Sequence, residues 1–225
     1  MSLDFIKNKL INKVHLTGII TQNPIEFIEQ LPLGDTRKCL ETKIAVQRRS
    51  GFLDEIVIVL KNNEHNLNAI QKGTIVKIQG HKSSRNENID GKSKLKIYVS
   101  VSNIEVKDKE YLDIENKRNP NYIELEGFIC KPPIFRSTPQ GRVITDALIA
   151  VNRPYPSTKT DYIPLIGWGS VAEKISKLEV GSKISLKGRI QSRNYEKKII
   201  KDGNEVIENK VAYEVSINEF EVLNN

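Results

Sequence analysis

The sequence predicts an all-β protein that consists of two tandem copies of one small, five-stranded Greek-key barrel. Three observations predict this fold class: an internal repeat that covers most of the 225 residues, five strand-like segments in each copy, and a helix signal after the third strand of the second copy. A chain of this length also has room for two domains of about 100 residues, which is a common domain size.

Three pairs of matching segments carry the internal repeat. They are NKVHLTGII at 12–20 with NYIELEGFI at 121–129, IAVQR at 44–48 with IAVNR at 149–153, and KGTIVKIQGHKSSR at 72–85 with VGSKISLKGRIQSR at 180–193. Each copy then carries an Asp-Gly turn signal, and the offset between the copies stays near 108 residues. Two copies of one fold explain this pattern better than one large domain does.

The repeat divides the chain into a first domain at 1–107 and a second domain at 121–225. The residues between them, 108–120, are polar and highly charged, and Pro120 disfavours a helix that would continue into the second domain. We therefore interpret 108–120 as a charged linker.

The second copy gives the clearest order of elements. Its predicted elements are strands at 122–130, 143–151 and 162–168, a helix at 170–178, and strands at 183–195 and 211–222. Ser170 and Glu173 have the spacing of a capping box, which predicts the start of the helix. This order, with a short helix between strands 3 and 4, is that of the OB-fold. The first copy follows it, with its helix near Glu64 to Ile70.

Composition and motifs narrow the function classes. The chain has 35 Lys and Arg residues against 28 Asp and Glu, and the resulting net charge of +7 favours a polyanionic partner. No apolar run approaches the roughly 20 residues of a membrane span, and the first residues lack the pattern of a secretion signal. Because the cysteines Cys39 and Cys130 are far apart, they predict neither a disulfide framework nor a zinc site.

Enzyme motifs are also missing from the sequence. It contains no Gly-Lys-Ser/Thr phosphate loop, no HExxH and no Gly-x-Ser-x-Gly. We therefore expect a cytoplasmic protein that has no enzymatic activity, no metal site and no cofactor.

The strand that begins at Lys183 carries candidate binding residues on one face. Successive side chains of a strand point to opposite faces, so one face is apolar and suits a barrel interior. The other face holds Lys187, Arg189, Gln191, Arg193 and Tyr195. Because cations neutralise phosphates and rings stack on bases, this face is typical of a groove for a single-stranded nucleic acid.

The preceding strand and its loop supply three more rings. Tyr162 and Trp168 lie six residues apart on one face of the strand. Tyr155 stands between two prolines, which stiffen the loop and lower the entropy cost of presenting its ring. The complete candidate site consists of Tyr155, Tyr162, Trp168, Tyr195, Arg153, Lys187, Arg189 and Arg193.

Five segments of the second copy match a known family in order and spacing. They are NYIELEGFICKPP, STPQGRVITDALIAVNR, DYIPLIGWGSVAEKI, VGSKISLKGRIQSRNY and the last alternating strand. Along these segments the second copy resembles the bacterial single-stranded-DNA-binding protein family. The resemblance implies non-sequence-specific binding of single-stranded DNA in replication, recombination or repair, with Tyr155, Tyr162, Trp168 and Tyr195 at base-stacking positions.

The resemblance also carries expectations about partners. The family usually gathers four OB-folds into one unit, so two per chain imply a homodimer, for which the first strand at Lys13 to Ile20 is a candidate contact edge. The family usually ends in a flexible tail whose acidic, apolar tip recruits other enzymes. This sequence ends on Leu223-Asn224-Asn225, which argues against recruitment by that route, although replication or recombination proteins stay candidate partners.

The first copy matches the family less well. At an offset of 108, the positions of Tyr162, Trp168 and Tyr195 fall on Asp54, Leu60 and Glu87, so two stacking positions are acidic. We expect the first copy to bind DNA weakly or to serve mainly in assembly. Its candidate contacts are Arg48, Arg49, Phe52, Lys82 and Arg85.

Two alternatives stay open at this point. One is a primosome-like or other replication-associated OB-fold module that binds proteins and contacts nucleic acid only secondarily. The other is RNA as the ligand, because stacking on a single strand is nearly blind to the sugar and only contacts to the 2′-OH separate RNA from DNA.

Overall fold

The computed structural model describes residues 11–30, 34–61, 69–89, 91–138, 140–153, 159–201 and 204–223. Its elements are β1 (Asn12–Ile20), β2 (Ile25–Gln30), β3 (Thr36–Gln47), β4 (Leu53–Lys61), β5 (Ile75–Ile89), β6 (Lys92–Val106), α1 (Lys109–Lys117), β7 (Asn121–Ile129), β8 (Ile134–Ser137), β9 (Val143–Asn152), β10 (Thr160–Trp168), α2 (Ser170–Ile175), β11 (Lys183–Lys201) and β12 (Asn204–Val222). Neither helix in this part of the chain is long and apolar enough to cross a membrane.

The first barrel closes through five strands. The strand order is β3-β4-β6-β5-β1, and a pairing between β1 and β3 joins the two ends. All these pairs are antiparallel except β4 with β6, where Ile58 lies opposite Val99 in a parallel register. A Greek-key barrel whose third and fifth strands run parallel has the OB-fold topology.

The second barrel repeats this arrangement. Its order is β9-β10-β12-β11-β7, with β7 closing on β9 and with β10 parallel to β12. The prediction of an all-β chain with two OB-folds is therefore confirmed. The helix α2 lies between the third and fourth strands as predicted, and Ala172 and Ile175 bury its inner face. It is shorter than the predicted 170–178, and its N-cap is Gly169, so the predicted capping box of Ser170 and Glu173 is wrong. In the first barrel the helix predicted near Glu64 to Ile70 falls mainly on 62–68, outside the described residues.

Sequence reasoning missed three elements. The short strands β2 and β8 add to the outer edges of β3 and β9, and α1 lies inside the segment interpreted as a linker. The helix begins because the Asp108 carboxylate accepts a hydrogen bond from the Tyr111 N–H at 2.8 Å. It ends before Pro120, the residue that disfavours its continuation.

The two barrels share one continuous sheet. Strand β1 pairs antiparallel with β5 on one side and with β7 on the other, where Asn12 lies opposite Leu125 and Leu16 opposite Asn121. The expectation that Lys13 to Ile20 offers a free edge to a second chain is therefore wrong. An edge within the same chain has a far higher effective concentration than one on another molecule, so the internal pairing takes precedence.

A repeated asparagine ties each first strand to its fourth strand. The Asn12 side chain exchanges two hydrogen bonds of 2.8 Å with the backbone of Lys82. In the second barrel Asn121 does the same with the backbone of Ile190, at 2.7 and 2.9 Å. Lys82 and Ile190 therefore occupy equivalent positions of the two barrels.

Lys82 consequently points into the first barrel, where the second barrel has an isoleucine. Its side chain is only 1% exposed, and its Nζ has no hydrogen-bond partner among the described residues. Burial disfavours the charged form and lowers the pKa of Lys82 to about 7. The prediction that Lys82 contacts nucleic acid is wrong, because its ammonium group is inaccessible from the surface.

We predict that Lys82→Ile stabilises the protein and removes a pH dependence of unfolding. Between pH 7 and the ordinary lysine pKa of 10.5, the unfolded chain holds a proton that the folded chain has lost, so stability of the natural protein rises with pH across this window. Each pKa unit corresponds to about 1.4 kcal/mol, so the gain at pH 7 should exceed about 1 kcal/mol.

Urea unfolding at several pH values measures this effect. Lys94→Met, which removes an exposed lysine from β6, serves as the control and should keep the pH slope. An unchanged slope in Lys82→Ile would contradict the burial of this amine.

Candidate nucleic-acid interface

A buried ion pair holds the barrels together at one side of their junction. Asp161, which is fully buried on β10, accepts hydrogen bonds from the Arg153 guanidinium at 2.7 and 2.9 Å. Its carboxylate also accepts the Ser84 N–H on β5 of the first barrel at 2.6 Å, and Arg153 donates to the Ser84 carbonyl at 3.0 Å. The Ser84 Oγ accepts the Tyr162 N–H at 3.0 Å. We call this set the Ser84 clasp.

The other side of the junction carries the same set with the barrels exchanged. Asp54, fully buried on β4, accepts two hydrogen bonds from Arg48 at 2.6 and 2.7 Å and the N–H of Ser192 on β11 at 2.8 Å. Arg48 donates to the Ser192 carbonyl at 3.3 Å, and Ser192 Oγ accepts the Glu55 N–H at 3.1 Å. This Ser192 clasp makes the junction pseudo-twofold symmetric.

The clasps correct the alignment of the third strands. Asp54 lies opposite Val46 and Asp161 lies opposite Val151, so the two aspartates are equivalent. The predicted equivalence of Tyr162 with Asp54 is therefore wrong by one residue.

The equivalent of Tyr162 is Glu55, which follows Asp54 in the chain. In the same way Trp168 corresponds to Lys61 and not to Leu60, whose side chain is fully buried. The equivalence of Tyr195 with Glu87 holds, because each lies seven residues after the glycine of the same β-bulge. Two ring positions of the second barrel are thus still acidic in the first.

Two of the predicted rings lie at the surface of the second barrel. Tyr162 is 44% exposed and Tyr195 is 38% exposed, and the Arg193 guanidinium lies 5.7 Å from the centroid of the Tyr195 ring. Trp168 is half-buried, and its indole Nε1 has no hydrogen-bond partner among the described residues. Tyr155 lies outside the described residues.

A polar network arranges the cations of β11. Arg189 donates to Gln191 at 3.0 Å, Gln191 donates to Glu214 at 2.6 Å, and Arg193 contacts the same carboxylate at 3.4 Å. Burial, together with the charge of Arg48 from the first barrel, lowers the pKa of Arg189. Gln191 itself is only 2% exposed. It connects the two arginines, because it accepts a hydrogen bond from Arg189 and donates one to Glu214, the carboxylate that Arg193 contacts.

Lys187 stands apart from this network. A β-bulge between Lys187 and Gly188 shifts the register with β12. The Lys187 ammonium pairs with Glu219 at 3.1 Å, and this contact raises the pKa of Lys187. Lys187 therefore pairs with a different carboxylate from the one that Gln191 and Arg193 share, although sequence parity grouped Lys187 with Arg189 and Arg193.

The candidate cations of the first barrel have structural partners. Arg48 belongs to the Ser192 clasp and also lies 4.7 Å from the centroid of Phe52, a ring that is 52% exposed. Arg49 donates to the Arg118 carbonyl at 3.3 Å. Arg85 pairs with Glu41 at 2.9 Å and Glu87 at 2.7 Å.

Sequence reasoning missed two rings at the junction. Arg85 lies 4.3 Å from the centroid of Phe27 on β2 and 5.1 Å from that of Tyr98 on β6. Both rings line a groove of about 590 Å³ between the barrels, and Tyr162 contributes from the second barrel. Phe27 lies in a short edge strand of six residues and Tyr98 in a strand far along the chain, so only the fold brings them together.

Comparisons with known proteins follow the same division of the chain. The model of the single-strand binding protein family matches residues 120–223. "Single-stranded DNA-binding protein 3" of Listeria innocua is 36% identical over 81 residues, which cover 34% of this chain and 51% of that protein. "Single-stranded DNA-binding protein 2" of Listeria monocytogenes is 34% identical over 110 residues, which cover 47% and 66%.

The chain therefore spans about half to two thirds of the length of these curated relatives. A solved structure matches nearly the whole fold. The wild-type single-stranded DNA binding protein from Thermus aquaticus superposes with a TM-score of 0.69 at 20% identity, over 96% of this chain and 95% of that one. At this identity the match concerns the fold of both barrels.

We predict that Asp161→Ala destabilises the chain strongly. The substitution leaves the half-buried Arg153 and the Ser84 N–H without their acceptor, and removal of one partner of a buried ion pair costs about 3–5 kcal/mol. Chemical unfolding monitored by circular dichroism measures the loss.

Asp146→Ala is the matched control for this variant. It removes a pair of similar length, 2.6 Å from Arg136, that lies at the surface. Its effect should stay within about 1 kcal/mol. Equal effects of the two substitutions would show that the Ser84 clasp does not hold the barrels together.

Proposed function

We propose that the chain binds single-stranded DNA without strong sequence preference, on the premise that residues 120–223 match the model of the single-strand binding protein family. The observation that carries the proposal is the surface of the second barrel, where the exposed rings of Tyr162 and Tyr195 lie with Arg193 within the matched segment. Rings that stack on bases and cations that follow the backbone read no base edges, so little sequence preference results.

The proposed roles differ among the candidate residues. Tyr162, Trp168 and Tyr195 stack on bases, and Tyr155 adds a fourth ring from the loop before β10. Arg189 and Arg193 contact phosphates. Lys187 adds positive charge at a distance from these rings, since its nearest partner is Glu219. Arg153 positions Tyr162 through the Ser84 clasp, because its guanidinium is bound to Asp161 and Ser84.

In this proposal the first barrel binds single-stranded DNA more weakly than the second barrel does. Glu55 and Glu87 stand where the second barrel has Tyr162 and Tyr195, and carboxylates repel phosphates. Its contribution from the predicted set comes from Phe52 with Arg48 at the Ser192 clasp, and from Arg49 and Arg85.

We also propose that two chains form a homodimer with four barrels and act in DNA replication, recombination or repair in the cytoplasm. Because β1 already pairs with β7, the contact between chains uses another surface than the one expected from the sequence.

Titration of the full chain with oligonucleotides tests the proposed function. Binding of oligo-dT should quench Tyr and Trp fluorescence, and affinity should fall steeply with salt because each phosphate contact on a single strand releases about 0.7 counterions. Duplex DNA of the same length should bind much more weakly. Equal affinity for duplex, or salt-insensitive binding to proteins with little quenching, would favour a protein-interaction module instead.

We predict that Tyr195→Ala weakens binding to oligo-dT by about 5- to 150-fold. This range corresponds to about 1–3 kcal/mol per stacked base. Fluorescence anisotropy with a labelled oligonucleotide measures the affinity. Tyr122→Ala is the control, since Tyr122 lies on β7, contacts His15 at a ring distance of 6.2 Å and is not one of the proposed stacking rings. If both variants bind like the natural protein, Tyr195 does not stack on DNA.

A further inference from the structure

The groove between the barrels combines three rings from different parts of the chain. Phe27 on β2 and Tyr98 on β6 come from the first barrel, and Tyr162 on β10 comes from the second. Its volume of about 590 Å³ lies within the range of small-ligand sites in proteins. The walls of the groove come from both barrels, at the side of the junction that carries the Ser84 clasp.

The charges around the groove make it a poor phosphate site. Arg85 is paired with Glu41 and Glu87, and Arg153 is paired with Asp161. Glu29, which also lines the groove, is paired with Arg37 at 2.6 Å. Both arginines already face carboxylates, and Lys159, the third cation of the lining, also has an interaction within the protein. An anionic group entering here would therefore meet little uncompensated positive charge.

The same residues suit a flat, uncharged ring. The Arg85 guanidinium lies against Phe27 and Tyr98 and shows that planar groups stack at this place. Nucleobases offer a flat, uncharged π-face that stacks on rings at such a place.

We propose that this groove holds one nucleobase of the bound strand, with its phosphates outside. The inference rests on the proposed function and adds Phe27 to the residues that contact DNA. The base stacks on Tyr162 from the second barrel, a ring that is 44% exposed, and contacts the ring of Phe27 from the first. A strand that passes from the second barrel to the first therefore has a contact at the junction, although Glu87 stands where the second barrel has a ring.

Phe27→Leu in the full chain tests the proposal. Leucine keeps apolar packing against the cluster of Cys39, Val57, Val59 and Tyr98, so the fold is preserved while the aromatic face is lost. The matched control is Phe135→Leu on β8, the corresponding edge strand of the second barrel, where the ring is exposed and lies outside the groove lining.

The affinity for dT oligonucleotides of increasing length is the readout. We expect Phe27→Leu to lose at least about fivefold in affinity for long oligonucleotides, as expected for one stacked base, and to lose nothing for oligonucleotides too short to reach the junction. Phe27→Trp, which keeps an aromatic face, should regain the affinity that Phe27→Leu loses. Phe135→Leu should match the affinity of the natural protein at every length.

Photocrosslinking gives a second readout that is independent of affinity. A long oligonucleotide that carries 5-iododeoxyuridine should crosslink to Phe27 in the natural protein. If the natural protein binds oligo-dT but Phe27→Leu matches Phe135→Leu at all lengths and no crosslink maps to Phe27, the groove proposal is overturned and the proposed function stands. If the natural protein does not bind oligo-dT, the proposed function itself fails.

Discussion

The reciprocal hydrogen bonding of Asp54 and Asp161 is the constraint on which the junction depends. Each aspartate is fully buried, each neutralises an arginine of its own barrel, and each accepts a backbone N–H from the other barrel. A buried carboxylate is costly unless all its acceptor positions are used, so neither clasp is complete without the opposite barrel. The relative orientation of the two barrels is thereby fixed at two separate points.

This constraint explains why the cations near the proposed binding surface differ so much in how freely they can contact phosphates. Arg48 and Arg153 were both predicted to contact nucleic acid, and each follows the same IAV segment in its copy. The guanidinium groups of both arginines are bound within the clasps. The residues that follow the two aspartates in the chain, Glu55 and Tyr162, also donate their backbone N–H groups to the clasps. At equivalent positions of the pseudo-twofold symmetric junction, one side therefore has the carboxylate of Glu55 and the other has the ring of Tyr162.

Much of the fold could be predicted from the sequence, because strand alternation and Asp-Gly turns are local signals and the repeat supplied each of them twice. Pairings between distant segments were less accessible. Alternation marked β1 as a strand but could not say that β7 covers its edge. The register of Asp54 with Asp161 was missed by one residue, because the segments that follow β4 and β10, 62–74 and 169–182, differ in length by one residue and a constant offset cannot follow this change. Lys82 was placed among the candidate DNA contacts because of its residue type, although it shares the strand face of Val76 and Ile78, which lies inside the barrel. Phe27 and Tyr98 carried no local signal, since their relation to Tyr162 exists only across the junction.

The pairing of β1 with β7 also bears on how the two barrels come to diverge. Two separate chains that met through their first strands would associate by mass action, and unlike barrels would form mixtures of every pairing. A covalent connection gives one barrel of each kind per molecule at any protein concentration. Glu55 therefore always faces the β11 side and Tyr162 always faces the β5 side. Under this fixed stoichiometry a substitution in one copy changes one side of the junction only, and the two sides are free to specialise.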